Sequence, residues 1–185
     1  MNYISHDRAR HLLRYEIIGA IVVYILAPVF HFLFEWSGYN HFVGMFAAVN
    51  ESVWEHTKIV YFPFLFFSIA EYFIVKPDFR RFFAAKTISM SLIPLLMITF
   101  FYTYSGMFGV ESLAVDIVFT FILTIFVFYV SYRLYQSKRD FDSRFIPIFI
   151  LFAAVLLMEL LFTAFPPHIP LFQDSATGTF GFPTA

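Results

Sequence analysis

His31 and Glu35 stand four residues apart, so on a helix both side chains leave the same face. Glu51, Glu55 and Lys58 form a second such stripe, with His56 about 100° around the axis from Glu55. His168 lies in a proline-rich stretch near the end of the chain. Imidazole nitrogens and carboxylate oxygens gathered at one place make a donor set for a divalent transition metal such as zinc, whose catalytic sites take three protein ligands and keep a position open. On this reading His31, Glu35, His56 and His168 are the metal candidates, and Glu51 or Glu55 activates water. The stronger zinc-protease pattern, His-Glu-x-x-His, is absent, because Glu55-His56 has no histidine one turn away. The plain alternative makes Glu51 and Lys58 interfacial charges, Glu55 a hydrogen-bond partner of a neighbouring helix, and the histidines ordinary helix-end residues in contact with water.

Glu159 is the third catalytic candidate, and it stands among Leu156, Leu157, Leu160 and Leu161. An ionised group at the centre of a bilayer costs about 2.5–3.5 kcal/mol or more unless paired or wetted. Glu159 is therefore expected to point into the protein. It is either a protonated acid bonded to Tyr102, Thr103 or Tyr104, or a carboxylate that transfers protons or binds substrate.

These residues need elements to hold them, and composition says which. With 60% hydrophobic, 23% aromatic and only 14% charged residues, the 185-residue chain cannot cover a water-facing surface. The charges are bunched, leaving apolar stretches near the roughly 20 residues a helix needs to cross about 30 Å of hydrocarbon. The expected fold is an all-α, polytopic transmembrane helix bundle of about five spans, over 15–35, 59–75, 87–106, 112–133 and 145–165, in a single integral membrane domain. The first span follows Arg8, Arg10 and Arg14 but is too long for a signal h-region and lacks a small-x-small cleavage site, so it reads as an uncleaved anchor. The absence of cysteine excludes disulfides, thiolate metal sites and cysteine nucleophiles.

Lysine and arginine favour the cytoplasmic side of a membrane. Arg8, Arg10 and Arg14 precede span one. Lys76, Arg80, Arg81 and Lys86 fall between spans two and three, and Arg133, Lys138, Arg139 and Arg144 between spans four and five. Every basic residue except Lys58 thus lies on one side, which places the N-terminus inside and the C-terminus outside. The outer half is then net negative and draws cations. Glu16 and Glu71, near the inner boundary, are expected to pair with Arg14 and Lys76 or to snorkel. Asp116 reads as interfacial, and Trp36 and Trp54 as members of an outer aromatic belt. The basic loops match anionic headgroups and need no nucleic acid. Membrane lipid is the expected partner, with a homo-oligomer or a second membrane protein left open.

Between spans one and two, Phe42, Met45, Phe46, Val49, Val53 and Trp54 recur at spacings of three and four, predicting an interfacial or span-extending helix over 42–58. Residues 166–185, rich in Pro, Phe and Gly, predict a non-helical outward tail lying back over the helix ends as a strap.

Asn50-Glu51-Ser52-Val53-Trp54-Glu55-His56, the preceding Glu35-Trp36-Ser37-Gly38, and Pro166-Pro167-His168-Ile169-Pro170-Leu171-Phe172 with Thr177-Gly178-Thr179-Phe180-Gly181 carry a family likeness. On these motifs the chain resembles a family of small bacterial multi-pass membrane proteins, a domain of unknown function. The resemblance covers nearly the whole chain and implies location and architecture, not an activity. Three functions remain in contention: a metal-assisted hydrolase acting on a lipid or peptide bond at the outer leaflet, a cation- or proton-coupled carrier or small-ligand binder using Glu159, and an accessory subunit of a membrane complex.

Overall fold

The computed structural model describes residues 6–183. Among the described residues the chain forms six α-helices and no strand: α1 (His6–Trp36), α2 (His41–Gly44), α3 (Val53–Val75), α4 (Phe79–Phe108), α5 (Leu113–Gln136) and α6 (Phe145–Ala164). All but α2 are long and apolar enough to cross a membrane. Their outward faces carry Ile17, Ile18, Ile21 and Ile25 on α1, Val118, Phe121, Ile122 and Ile125 on α5, and Ile146, Phe149 and Ile150 on α6. In water such continuous apolar faces would drive aggregation; against lipid tails they cost nothing.

Helix α3 is the axis of the bundle. It packs against α1 and α4, while α4 also packs against α5 and α6, and α1 against α5. Val60, Tyr61, Phe62 and Phe64 of α3 are wholly buried, and Val23, Ile93, Val127 and Phe128 close around them. Pro28, Pro63 and Pro94 lie inside α1, α3 and α4. Helices in a bundle tolerate such residues because neighbouring groups satisfy the freed carbonyls.

Two of the differences from the sequence reading each move a charged residue. The stretch 42–58 is not one helix. Asn40 caps the short α2 through hydrogen bonds from the Phe42 and Val43 amides, an irregular segment follows, and Ser52 caps α3 by accepting from the Glu55 amide at 3.3 Å. Asn50 Oδ1 accepts from the Ser52 amide, so these short polar side chains compete with the helix for its own backbone. Helix α4 starts at Phe79, capped by Asp78, whereas span three was expected from 87. Lys86 is thereby two turns inside a helix rather than in a loop.

The tail also holds one helical element, a 3-10 turn over Pro170–Phe172. Proline is tolerated there because the first residues of a helical turn donate no internal hydrogen bond. Phe172 is buried against Trp54 and Phe162, with ring centroids 5.2 Å from each. Trp54 is therefore part of the packing beneath the tail and only 6% exposed, not a belt residue; Trp36 is exposed.

Candidate metal centre

The C-terminal part of α1, the first turn of α3 and the segment before it bring three donors together. His31 Nε2 lies 3.2 Å from His56 Nε2, and Glu51 Oε2 lies 3.5 Å from His31 Nε2 and 3.4 Å from His56 Nε2. Tetrahedral zinc with bonds of 2.0–2.1 Å holds its ligands about 3.3–3.4 Å apart. The triangle therefore has the dimensions of one face of such a coordination shell.

The tautomer of His56 fits this role. Its Nδ1 lies 2.8 Å from the Ser52 carbonyl oxygen, to which it donates; once Nε2 gives up the proton it shares with Glu51, the lone pair there faces the other two donors. A metal-binding histidine is commonly oriented by such a backbone carbonyl. His31 Nδ1 is buried without a hydrogen-bond partner among the described residues, so the chemistry of that ring is also confined to Nε2. The hydrogen bonds from His31 and then His56 hold the Glu51 carboxyl well below the usual carboxylate range, outweighing its partial burial. Glu51 is thus an anion at neutral pH. The site is reachable, since the Glu51 side chain is 47% exposed and that of His56 33%.

The tail fixes the segment that carries Glu51. Asp174 Oδ1 accepts from the Glu51 amide at 3.3 Å, Ser175 Oγ donates to the Glu51 carbonyl at 3.2 Å, and Asn50 Nδ2 donates to the Gly181 carbonyl at 2.9 Å. Gly181 has φ +69°, and a Cβ there would stand 3.1 Å from both Pro166 and the Thr163 carbonyl, so a larger residue meets both strain and crowding.

The remaining sequence candidates lie elsewhere. Glu35 is exposed at the end of α1, and His168 is exposed and stacked on Phe180 with centroids 4.6 Å apart. Neither belongs to the donor group. Glu35 shares the face of His31, but its exposed side chain at the helix end lies outside the group of three donors. Glu55 points away from the histidines into the bundle. Its Oε2 is 2.6 Å from Lys58 Nζ and 3.1 Å from the Val49 amide, and its Oε1 accepts from the Thr163 hydroxyl at 2.9 Å. Lys58, the one base assigned to the outer half, is wholly buried and also donates to the Gly44 carbonyl at 2.7 Å and to Thr163 Oγ1 at 2.8 Å. With its donors so engaged it adds no positive charge to the surface.

Glu159 is wholly buried, as expected of an acid inside a span, but its partner is not on α4. Thr57 Oγ1 lies 3.1 and 3.2 Å from its two oxygens, because α3 rather than Tyr102, Thr103 or Tyr104 faces that side of α6. Tyr104 instead donates to Asp116 Oδ1 at 2.9 Å. Sequence reasoning also missed a second buried polar group at the other end of the bundle. Lys86 Nζ lies 2.8 Å from Glu16 Oε2 and 2.7 Å from Glu71 Oε2, so neither acid takes the Arg14 or Lys76 partner expected of it. The available signal was Pro77-Asp78, a helix start that carries Lys86 into the span.

A bundle of long apolar helices with lipid-facing flanks and ion pairs sealed in its interior defines a polytopic helical membrane protein. The chain belongs to a family of unknown function, DUF6512, whose model matches residues 1–182. No curated protein and no solved structure matches it.

Proposed function

We propose that this protein is a membrane-embedded, metal-dependent hydrolase of the bacterial plasma membrane, with His31, Glu51 and His56 as the metal ligands at the outer face. The observation that carries the reading is the donor triangle, three side chains from two helices and a loop at tetrahedral ligand spacing. Three protein ligands with a fourth position open is the arrangement of catalytic rather than structural zinc. A bound ion of this kind polarises a carbonyl and brings the pKa of coordinated water to about 7.

The chain's own residues set the rest. Ser52 orients His56, Asp174 and Ser175 hold the Glu51 backbone, and Glu51 supplies the negative charge that retains a cation. Glu55 is committed to Lys58 and Thr163, which argues against it as the base. Exposed Phe32, its ring 4.7 Å from that of His31, with exposed Trp36 stacked on it, favours a substrate at the interface, an ester or amide bond of a lipid or membrane-associated peptide. The carrier reading is less favoured, because Glu159 faces Thr57 inside the packed bundle rather than an open vestibule. The distribution of basic residues supports the N-terminus inside.

Protein purified without chelators and dialysed against zinc-containing buffer should retain about one equivalent of metal, and His56→Ala should lose it. Metal-free protein after that treatment would remove the proposal. Metal-dependent release of product from ester-linked lipid vesicles or membrane-anchored peptides then tests the hydrolytic step.

A further inference from the structure

The second buried cluster lies at the opposite end of α3 from the metal centre and has no part in the chemistry above. Four helices build it: Glu16 comes from α1, Glu71 from α3, Lys86 from α4 and Ser131 from α5. Each of these residues is 5% exposed or less. Phe64, Phe82 and Phe128 enclose the ammonium, with ring centroids 5.0–5.3 Å from Lys86 Nζ. The surroundings are therefore aromatic, dry and close in polarity to the membrane interior.

Two carboxyl groups share one ammonium. If both were ionised, the enclosure would carry an uncompensated negative charge, which a low-dielectric interior does not sustain. One positive charge more is needed, and the hydrogen bonds say where it goes. Both oxygens of Glu16 already accept: Oε2 from Lys86 Nζ at 2.8 Å and Oε1 from the Ser131 hydroxyl at 2.8 Å. That is the environment of a carboxylate. Glu71 is arranged differently. Its Oε2 lies 2.7 Å from the ammonium as an ion pair but outside hydrogen-bond geometry, and its Oε1 is buried with no partner of either kind among the described residues. An acceptor left bare in this way is the oxygen that a proton would occupy.

We propose that Glu71 is a proton-binding site within the bundle, with Glu16 and Lys86 as the fixed ion pair against which it loads and releases one proton. The charged groups acting on Glu71 are Lys86 and Glu16, and α5 contributes the neutral Ser131 hydroxyl to Glu16. In the loaded state the three ionisable groups carry no net charge. Release leaves one negative charge beside Lys86, so loading and unloading change the electrostatics among α1, α3, α4 and α5 together. Glu71 is one turn from the end of α3 at Val75, which places the proton's exchange route at the end of the bundle that holds the basic loops.

The test is infrared difference spectroscopy on the full chain in lipid nanodiscs, comparing acidic with alkaline buffer in H2O and D2O. The wild type should show a deuterium-sensitive protonated-carboxyl band that disappears on alkalinisation. Glu71→Gln should remove one component of that band, Glu159→Gln should leave that component in place, and Glu71→Asp should keep it at a shifted frequency. Glu16→Gln should also remove it, because one acid facing one lysine leaves no excess charge. A spectrum unchanged by Glu71→Gln, in protein whose circular dichroism matches the wild type, overturns the proposal. So does loss of the Glu71 component when sodium is added at constant pH, because the site would then take a metal cation rather than a proton. Should Glu71→Gln fail to fold, the Glu71→Asp shift decides alone: no shift, no site.

Discussion

His31 Nε2 and His56 Nε2 lie 3.2 Å apart across the α1–α3 interface, and Glu51 Oε2 completes a triangle with both. Two rings at that separation are joined either by a shared proton or by a shared cation. The carboxylate within 3.5 Å of each supplies negative charge that suits either, and metal binding distinguishes them.

If the triangle is a metal site, zinc should stabilise the fold. Binding to the native state alone raises stability by about 2.7 kcal/mol at a free concentration a hundred times the Kd. Thermal unfolding in detergent should shift upward with zinc in the wild type and stay fixed in His31→Ala and His56→Ala. Equal shifts in all three proteins would place any bound zinc elsewhere.

The tail should act on metal affinity without touching the metal. Asp174 accepts from the Glu51 amide and from Ala176, so Asp174→Ala should loosen the segment that carries Glu51. Losses from comparable outer partners are about 10–100-fold in affinity. Competition with a chromophoric chelator measures this, and an unchanged Kd would show that the Glu51 segment holds its position without the strap.

Lys58 is wholly buried between Glu55, Thr163 and the Gly44 carbonyl. Lys58→Met strands the Glu55 carboxylate and should destabilise the protein by about 3–5 kcal/mol. The double variant Lys58→Met/Glu55→Gln should recover much of that loss, because it removes the buried charge along with its partner. Denaturant unfolding of these two and of Glu55→Gln alone gives the comparison. Additive losses would mean that the two side chains do not act as a pair.

Gly181→Ala should cost about 1–2 kcal/mol, since φ +69° disfavours any side chain and the new methyl would press on Pro166 and the Thr163 carbonyl. Chemical unfolding should register the loss, and metal affinity should fall with it because the Gly181 carbonyl holds Asn50.

The absence of cysteine makes topology directly testable. Ala176→Cys, in the exposed tail, should react with a membrane-impermeant maleimide added to intact cells, and Ser143→Cys, between α5 and α6, should react only after permeabilisation. The reverse pattern would invert the proposed orientation.

Much of this protein could be read from its residues in order. Long apolar runs broken by clustered charge define spans in any context, because the bilayer sets both their length and their polarity, and five helices contain those runs, the first three starting several residues earlier. Caps such as Asn40, Ser52 and Asp78 were equally local, although the 3.6-residue periodicity of 42–58 concealed two of them. His31 and His56 were visible as candidate ligands and Glu51 as a candidate water-activating residue, whereas Glu35 and His168, read as further ligands, lie outside the donor triangle. Which of the polar residues meet was not. Ser52 capping puts Glu55 on the inward face of α3 and His56 beside α1, while the break before it frees Glu51 to turn toward both histidines. Lys86 pairs with Glu16 and Glu71 across separations of 70 and 15 positions, and Glu159 finds Thr57 rather than a tyrosine. A buried charge takes whichever partner the packing of neighbouring helices delivers, and that packing depends on side-chain shape summed over whole interfaces, which no local spacing records.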